Sequence, residues 1–241
     1  MLDTLRAGAR GAEVTILQLL LGVRADGVFG SATQSALKSF QSEEGLKPDG
    51  VCGESTWLSL IRKKAGYAPK REQIADFKQY DPRWGAKVYS SCGDKSQTMK
   101  SSGCGPTAMA DIVCALWDKD VTPYELALKS VEWGTRTRSS GTSGTFFKRC
   151  AELYGCDSYL SASGMSALTD CLNAGGLAVV CFGPSKWTKG GHYCAVWDWD
   201  GEYFYINDPA SADKNRAKGT YDEVKRARKR FYLFGARKET A

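Results

Sequence analysis

Ser101-Ser102-Gly103-Cys104-Gly105-Pro106-Thr107-Ala108-Met109-Ala110 is the stretch from which the fold of this chain is read. Two glycines bracket the cysteine, and Pro106 suits the first position of a helix. Ala108, Met109, Ile112, Val113, Leu116 and Trp117 continue at helical spacing. Cys104 is therefore expected at a helix N-terminus, with small neighbours that leave its sulfur uncovered. Helix-end amides and the macrodipole favour a thiolate there. None of the other eight cysteines has that setting, and a cysteine without it reads as a small buried hydrophobe.

Downstream, Gly190-Gly191-His192-Tyr193-Cys194-Ala195-Val196-Trp197 reads as a glycine turn entering a strand. Alternation puts His192, Cys194 and Val196 on one face, and Tyr193, Ala195 and Trp197 on the other. After the turn Asp198-Trp199-Asp200-Gly201, the run Tyr203-Phe204-Tyr205-Ile206-Asn207-Asp208-Pro209 reads as the returning antiparallel strand. A hairpin of that length brings Asn207 or Asp208 beside His192, where a carboxylate or amide holds the imidazole in one tautomer. His192 is the single histidine of the chain, so an imidazole base has only this address.

Residues 1–60 have a different character. They carry five basic and seven acidic residues, net −2, while the 241-residue chain is +6, so residues 61–241 carry +8. Asp26-Gly27-Val28-Phe29-Gly30 with Thr33 recurs as Asp49-Gly50-Val51-Cys52-Gly53 with Thr56, each followed by a leucine four positions on (Leu37, Leu60). Val14, Leu17, Leu20 and Leu21, then Ala36, Leu37 and Phe40, have helical spacing. Three short helices joined by two similar turns are expected, with the second glycine of each repeat supplying a positive φ before a helix. Residues 61–76, with Arg62, Lys63, Lys64, Lys70 and Arg71 around Gly66 and Pro69, read as a solvated linker.

A composition of 42% hydrophobic and 25% charged residues excludes disordered and low-complexity classes. The longest apolar run, around Ile16 to Leu21, is too short to span a membrane. Met1 to Gly11 contain no apolar signal region, which reads as synthesis in a reducing cytoplasm with thiols free. Nine cysteines without a Cys-x-x-Cys pair, and one histidine, argue against structural zinc; Cys150 and Cys156 would be a chance partial site. No cofactor or metal is expected. The basic run of Lys225, Arg226, Arg228, Lys229 and Arg230 comes without a nucleic-acid motif and reads as a solvated face before a final strand.

Two resemblances add to this. Leu5-Arg6, Gly11-Ala12-Glu13-Val14, Leu17-Gln18, Asp26-Gly27-Val28-Phe29-Gly30, Thr33, Phe40-Gln41, Gly45-Leu46, Asp49-Gly50-Val51, Gly53 and Thr56-Trp57 resemble the short three-helix peptidoglycan-binding domain of wall hydrolases across residues 2–60. That likeness implies a wall anchor, with Asp26, Phe29, Gly30 and Gln41 as candidate wall-binding residues. Residues 77–215 resemble papain-fold cysteine peptidases of the bacteriocin-processing, double-glycine-peptidase-like superfamily. The likeness runs through Gln79-Tyr80-Asp81-Pro82-Arg83-Trp84-Gly85, the Cys104 motif, Gly141-Thr142-Ser143, Gly175-Gly176, Gly191-His192 and Asn207-Asp208-Pro209. It implies Cys104 as nucleophile, His192 as base and then acid, and Asp208 as the group orienting His192, with Asn207 as fallback. A related pattern puts a glutamine six residues before the nucleophile; Thr98 stands there, so Gln97 and then Gln79 are the candidate oxyanion donors.

The expected architecture is α+β: a three-helix domain at 1–60, a linker at 61–76, and a papain-like domain at 77–241. The expected function is peptidoglycan hydrolysis at an amide bond by a monomer of endolysin or autolysin type, with no nucleic acid and no membrane span. The competing classes are a cysteine peptidase acting on a protein or leader peptide, and a non-catalytic wall-binding or phage structural protein.

Overall fold

The structure, a computed structural model, describes residues 3–44, 46–53, 56–57, 59–61, 74–139, 141–156 and 158–235. The chain divides into two compact units, Met1–Ala68 and Pro69–Ala241. Most of the expected linker lies outside the described residues.

The first unit is built on α1 (Ala12–Leu21), α2 (Ser31–Glu43) and the helical residues 56–57 and 59–61. Its interior is Leu5, Val14, Leu17, Phe29, Leu37, Phe40, Cys52, Trp57 and Leu60. The sequence repeat is a structural repeat held by two buried glutamines. Gln18 Nε2 donates to Asp26 Oδ1 (2.9 Å), Val28 O (3.0 Å) and Thr33 Oγ1 (3.0 Å), while its Oε1 accepts from Gly27 N (2.9 Å). Gln41 does the same at the second copy, donating to Asp49 Oδ1 (3.0 Å), Val51 O (3.0 Å) and Thr56 Oγ1 (3.4 Å) and accepting from Gly50 N (2.9 Å). The positive φ falls on the first glycine of each copy, Gly27 at 70° and Gly50 at 72°. Gly30, at φ −91°, is instead the N-cap of α2. The left-handed residue is needed where the chain turns its amide toward the glutamine, not where the helix begins.

The second unit is a six-stranded antiparallel sheet sandwiched between helices. Before it come α3 (Met99–Ser102), α4 (Cys104–Trp117), α5 (Pro123–Glu132), a hairpin of β1 (Arg136–Thr137) and β2 (Gly141–Thr142), and α6 (Thr145–Leu153). The sheet uses β3 (Leu160–Ala162), β4 (Leu177–Phe182), β5 (His192–Trp199), β6 (Tyr203–Asn207), β7 (Lys218–Thr220) and β8 (Arg228–Phe234), in the order β3-β8-β4-β5-β6-β7. Between them lie α7 (Met165–Asn173) and α8 (Tyr221–Ala227). One face carries Leu177, Val179, Ala195, Trp197, Tyr232 and Phe234 and packs on α4, α5 and α6. The other carries Ala178, Val180, Phe182, Cys194, Val196, Phe231 and Leu233 and packs on α7 and α8. Both faces being buried explains the unbroken apolar run Leu177-Ala178-Val179-Val180-Cys181-Phe182.

One irregularity sets up the site. β5 and β6 pair Trp199 with Phe204 and Asp198 with Tyr205, then slip by one residue and pair Val196 with Ile206 and Ala195 with Asn207. A bulge of one residue moves every later side chain to the opposite face. Continued from the tip without the bulge, the hairpin would turn Asn207 to the His192 face. With the bulge, Asn207 faces α4 and the next residue, Asp208, comes to the face of Cys194 and His192.

Replacing Gln41 by alanine is expected to leave the Gly50 amide without its acceptor and to remove the donor shared by Asp49, Val51 O and Thr56. The first unit should lose about 1–3 kcal/mol, read as faster hydrogen exchange at the interior amides of residues 3–60, with the second unit unchanged. Gln18→Ala should cost about as much.

Candidate active site

α3 and α4 are consecutive helices broken at Gly103. Thr98 and Ser101 form a capping box at the start of α3, and Cys104 is the first residue of the fourteen-residue α4. Pro106 is thus the third helical residue, not the first; the helix starts two residues earlier than the proline suggests. Its missing N–H is among the four that have no intrahelical partner in any case. The glycine bracket serves packing. A Cβ on Gly103 would lie 2.6 Å from the Met99 carbonyl, and one on Gly105 would lie 2.7 Å from Thr142 Oγ1. Gly105 thereby lets the β1–β2 hairpin seat against the first turn of α4, beside the nucleophile candidate.

Cys104 is half-buried. Burial by itself pushes its thiol up. The hydrogen bond and charge of His192, with the backbone amides of Tyr193 and Gly105, outweigh that and hold it below the ordinary value. The helix end, which aims amides and a positive pole at the sulfur, works the same way. His192, the first residue of β5, is 6% exposed. Burial works to lower its pKa; the Cys194 sulfur, the Asp208 carboxylate and the Cys104 sulfur raise it well above the ordinary imidazole value. Cys194 is itself pushed up to about 11 by burial, so it is a protonated thiol at neutral pH, and Asp208 and Cys104 carry the effect on His192. The two shifts run in opposite directions, and both favour placing the shared proton on His192 rather than on Cys104.

His192 Nε2 donates to Asp208 Oδ1 at 2.7 Å, which directs the ring's other nitrogen to Cys104. Oδ1 also accepts from the Ala210 amide at 2.8 Å. The Asp208 carbonyl accepts from Lys78 Nζ at 2.9 Å. Asn207 is turned away: its Nδ2 donates to Ala75 O at 2.7 Å and meets Asp111 Oδ2 at 3.4 Å. Asp111, a wholly buried carboxyl on α4, accepts from Phe77 N and is held well above the usual carboxylate range by burial.

The two glutamines have different surroundings. Gln97 uses its whole carboxamide, donating to Arg138 O (2.9 Å) and Asp94 Oδ2 (3.2 Å) and accepting from Arg136 Nη2 (2.8 Å). Arg136 is buried over the Tyr89 ring, 4.6 Å from its centroid, and Tyr89 in turn reaches Ser130 and Thr142 through its hydroxyl. Gln97 thus braces the hairpin that flanks Gly105. Gln79 is buried, donates Nε2 to Lys100 O (2.6 Å) and anchors its backbone N–H on Pro209 O (2.9 Å). It spans α3, which leads into the helix of the nucleophile candidate, and the loop of Asp208, and its Nε2 makes one hydrogen bond among the described residues.

In the first unit, Phe29 is 1% exposed and lies in the interior, and Gln41 is 1% exposed with both ends of its carboxamide bonded internally. Asp26 accepts from Gln18 and from Val28 N, which hold its carboxyl below the usual value. These three side chains build the fold of the unit. An open cavity of about 340 Å³ lies elsewhere on it, lined by Leu20, Leu21, Ala36, Ser39, Phe40, Glu43 and Leu60.

None of the nine cysteines is joined in a disulfide. Atoms of metal-ligand type on His192, Cys194 and Asp208 lie within 4.8 Å of one another. The His192–Asp208 bond and a nearby cation, Arg216 Nη2 at 2.5 Å from Asp208 Oδ2, already engage two of them, so the cluster reads as a proton-handling pair with a thiol beside it. Cys150 is an interior residue of the first core cluster and Cys156 packs against it. From the sequence Cys194 reads as a packing cysteine, although the alternation of β5 puts it on the His192 face. Arg216 had no signal in the sequence.

Site-resolved alkylation by iodoacetamide should find Cys104 reactive below the ordinary thiol range, because a depressed thiol pKa keeps the thiolate until the pH falls through that lowered value. In His192→Ala burial is opposed only by the Tyr193 and Gly105 amides, so the pKa should rise and reactivity at neutral pH should drop by at least tenfold. Asn207→Ala should leave the alkylation profile in place.

A family described as a peptidoglycan binding domain matches residues 10–60, and the peptidase C39-like family matches residues 74–238. An uncharacterized protein from the bpoA1 3′ region of Kitasatospora aureofaciens is 48% identical over 40 residues, which are 17% of this chain and 34% of that protein; the match thus spans about a third of the relative's length. Among solved structures, a C39-like peptidase from Bacillus anthracis covers 70% of this chain and 100% of its own, at 14% identity and a TM-score of 0.47. The peptidase domain of Streptococcus ComA, a bifunctional ABC transporter, covers 56% and 93%, at 17% identity and a TM-score of 0.43. The chain belongs to the peptidase C39-like family, with a peptidoglycan-binding domain at its N-terminus.

Proposed function

We propose that this peptidase is a cysteine-dependent peptidoglycan hydrolase of endolysin or autolysin type, cutting an amide of the stem peptide, the cross-bridge or the muramoyl-L-alanine linkage. The observation that carries the reading is the Cys104–His192–Asp208 arrangement in a chain that also holds a peptidoglycan-binding domain. Tethering to the wall raises the concentration of scissile amides around the catalytic unit without any new contact at the site. The +8 charge of residues 61–241 adds attraction to anionic wall polymers.

The chemistry is acyl transfer. The Cys104 thiolate attacks the amide carbonyl and forms the C–S bond. The resulting oxyanion is met by the Cys104 backbone N–H and by the second amide hydrogen of Gln79, which is better disposed than the fully engaged Gln97. The His192 imidazolium protonates the departing amine as the C–N bond breaks, leaving a thioester. Neutral His192 then takes a proton from water, whose oxygen attacks the thioester and releases the acid and the Cys104 thiolate. Asp208 keeps Nε2 protonated throughout, so that the opposite nitrogen always serves the sulfur.

Cys104→Ala should abolish hydrolysis of purified sacculi while the protein still sediments with them. Mass spectrometry of the released fragments identifies the bond: free muramic acid lactyl ends mean an amidase, new stem or cross-bridge ends an endopeptidase. Full lytic activity in Cys104→Ala would overturn the proposal. So would sacculi left intact by a parent chain that cleaves a protein substrate. Gln79→Ala should lower kcat by about 100-fold with a much smaller effect on KM, and Gln97→Ala should act on stability.

A further inference from the structure

Asp208 is 2% exposed and divides its two oxygens between different partners. Oδ1 takes His192 Nε2 and the Ala210 amide; Oδ2 stands 2.5 Å from Arg216 Nη2. The second contact is an ion pair whose angles fall outside those of a directed hydrogen bond. Arg216 ends the short 3-10 turn Lys214–Arg216 and is locked to Trp187 from both sides. Its guanidinium donates to the Trp187 carbonyl, and Trp187 Nε1 donates to the Arg216 carbonyl at 2.9 Å. Trp187 is 2% exposed and stacks on Phe182 at 4.2 Å with planes 8° apart, and Phe182 pairs with His192 across β4 and β5. Gly219 is required beneath it, since a Cβ there would lie 2.7 Å from the Trp187 ring. The cation is thus held by the same packed block that positions His192.

A carboxyl buried beside an imidazole has two ways to avoid an isolated charge: it takes up a proton, or it finds a cation. A cation on one oxygen also fixes which oxygen faces the imidazole, and so the ring nitrogen left for Cys104. We propose that Arg216 is a positioning residue of the site: its cation, paired with Oδ2, fixes Asp208 in the rotamer whose Oδ1 bonds His192. The role rests on Cys104 being the nucleophile. The other charged or titratable groups around Asp208 are His192 and Cys194 from β5, Cys104 from α4, and Lys78, which touches the Asp208 carbonyl and pairs with Asp76 at 2.6 Å. Lys78 reaches the backbone and not the carboxylate, so it does not replace Arg216.

The experiment is the pH dependence of Cys104 alkylation, read at that residue by peptide mass spectrometry, for the parent chain, Arg216→Met, Arg216→Lys and Asp208→Asn. Removing a cation makes every anionic form of the cluster costlier, so the acid limb should move to higher pH by about one unit in Arg216→Met. Arg216→Lys keeps the charge and should recover most of that displacement, which a purely structural role in the Trp187 block would not do. In the Asp208→Asn background, Arg216→Met should cause no further displacement, because its target is gone. A profile for Arg216→Met that superimposes on the parent would overturn the proposal. An equal displacement in the Asp208→Asn background would also do so. A parent chain whose Cys104 titrates as an ordinary thiol would overturn the nucleophile assignment together with the role built on it.

Discussion

The 2.7 Å contact between His192 Nε2 and Asp208 Oδ1 is the constraint on which the rest of the site depends. It selects the imidazole nitrogen that faces Cys104, and the His192 hydrogen bond and charge are the effects that bring the Cys104 thiol below its ordinary value against the cost of burial. The contact exists because β5 and β6 slip by one residue between Val196 and Asp198. With period-two alternation, one residue of slip exchanges faces, so the bulge assigns Asp208 to the histidine and Asn207 to Asp111 on α4. The loop beyond is tied down by Lys78 on the Asp208 carbonyl and by Gln79 on the Pro209 carbonyl. The segment near residues 78–79 therefore ties down the Asp208 loop and the approach to α4 together.

The nucleophile candidate is positioned by the core rather than by its own contacts. From Gly105 through Val113, α4 is buried, and its apolar residues share one cluster with the sheet, α5 and α6. A close-packed helix cannot slide along its axis without opening voids, so its first residue is located to within the tolerance of packing. The glycines at 103 and 105 remove side chains where the Met99 carbonyl and Thr142 press against the helix start. The first unit reaches order by a different route. Each copy of its repeat wraps a turn around a glutamine carboxamide, which satisfies polar groups that so small a core could not leave unpaired.

Much of this was legible in the sequence because it depended on local rules. The duplicated Asp-Gly turn announced a repeat, helical periodicity after Cys104 placed the residue at a helix start, and alternation along 192–197 separated the faces that the two core clusters later occupied. What was not legible depended on contacts between distant segments. Counting through the hairpin left Asn207 and Asp208 open, since a bulge at Trp197 leaves no mark in composition. Pro106 pointed to a helix beginning two residues late, because proline is tolerated throughout the first turn. Phe29 and Gln41 match a ligand-groove pattern and a packing pattern equally well, and only their burial separates the two. Arg216 lies eight residues beyond Asp208 in an irregular stretch, where spacing carries no information about which side chain meets which.

The central claim is that Cys104 becomes acylated. The direct measurement is mass spectrometry of the Cys104 peptide after acid quenching of the protein mixed with purified peptidoglycan. The expected result is a thioester-linked wall fragment on Cys104 that hydroxylamine removes, present at early times and depleted as turnover ends. Hydrolysis that proceeds with Cys104 unmodified at every time, and continues after that cysteine is blocked, would contradict it.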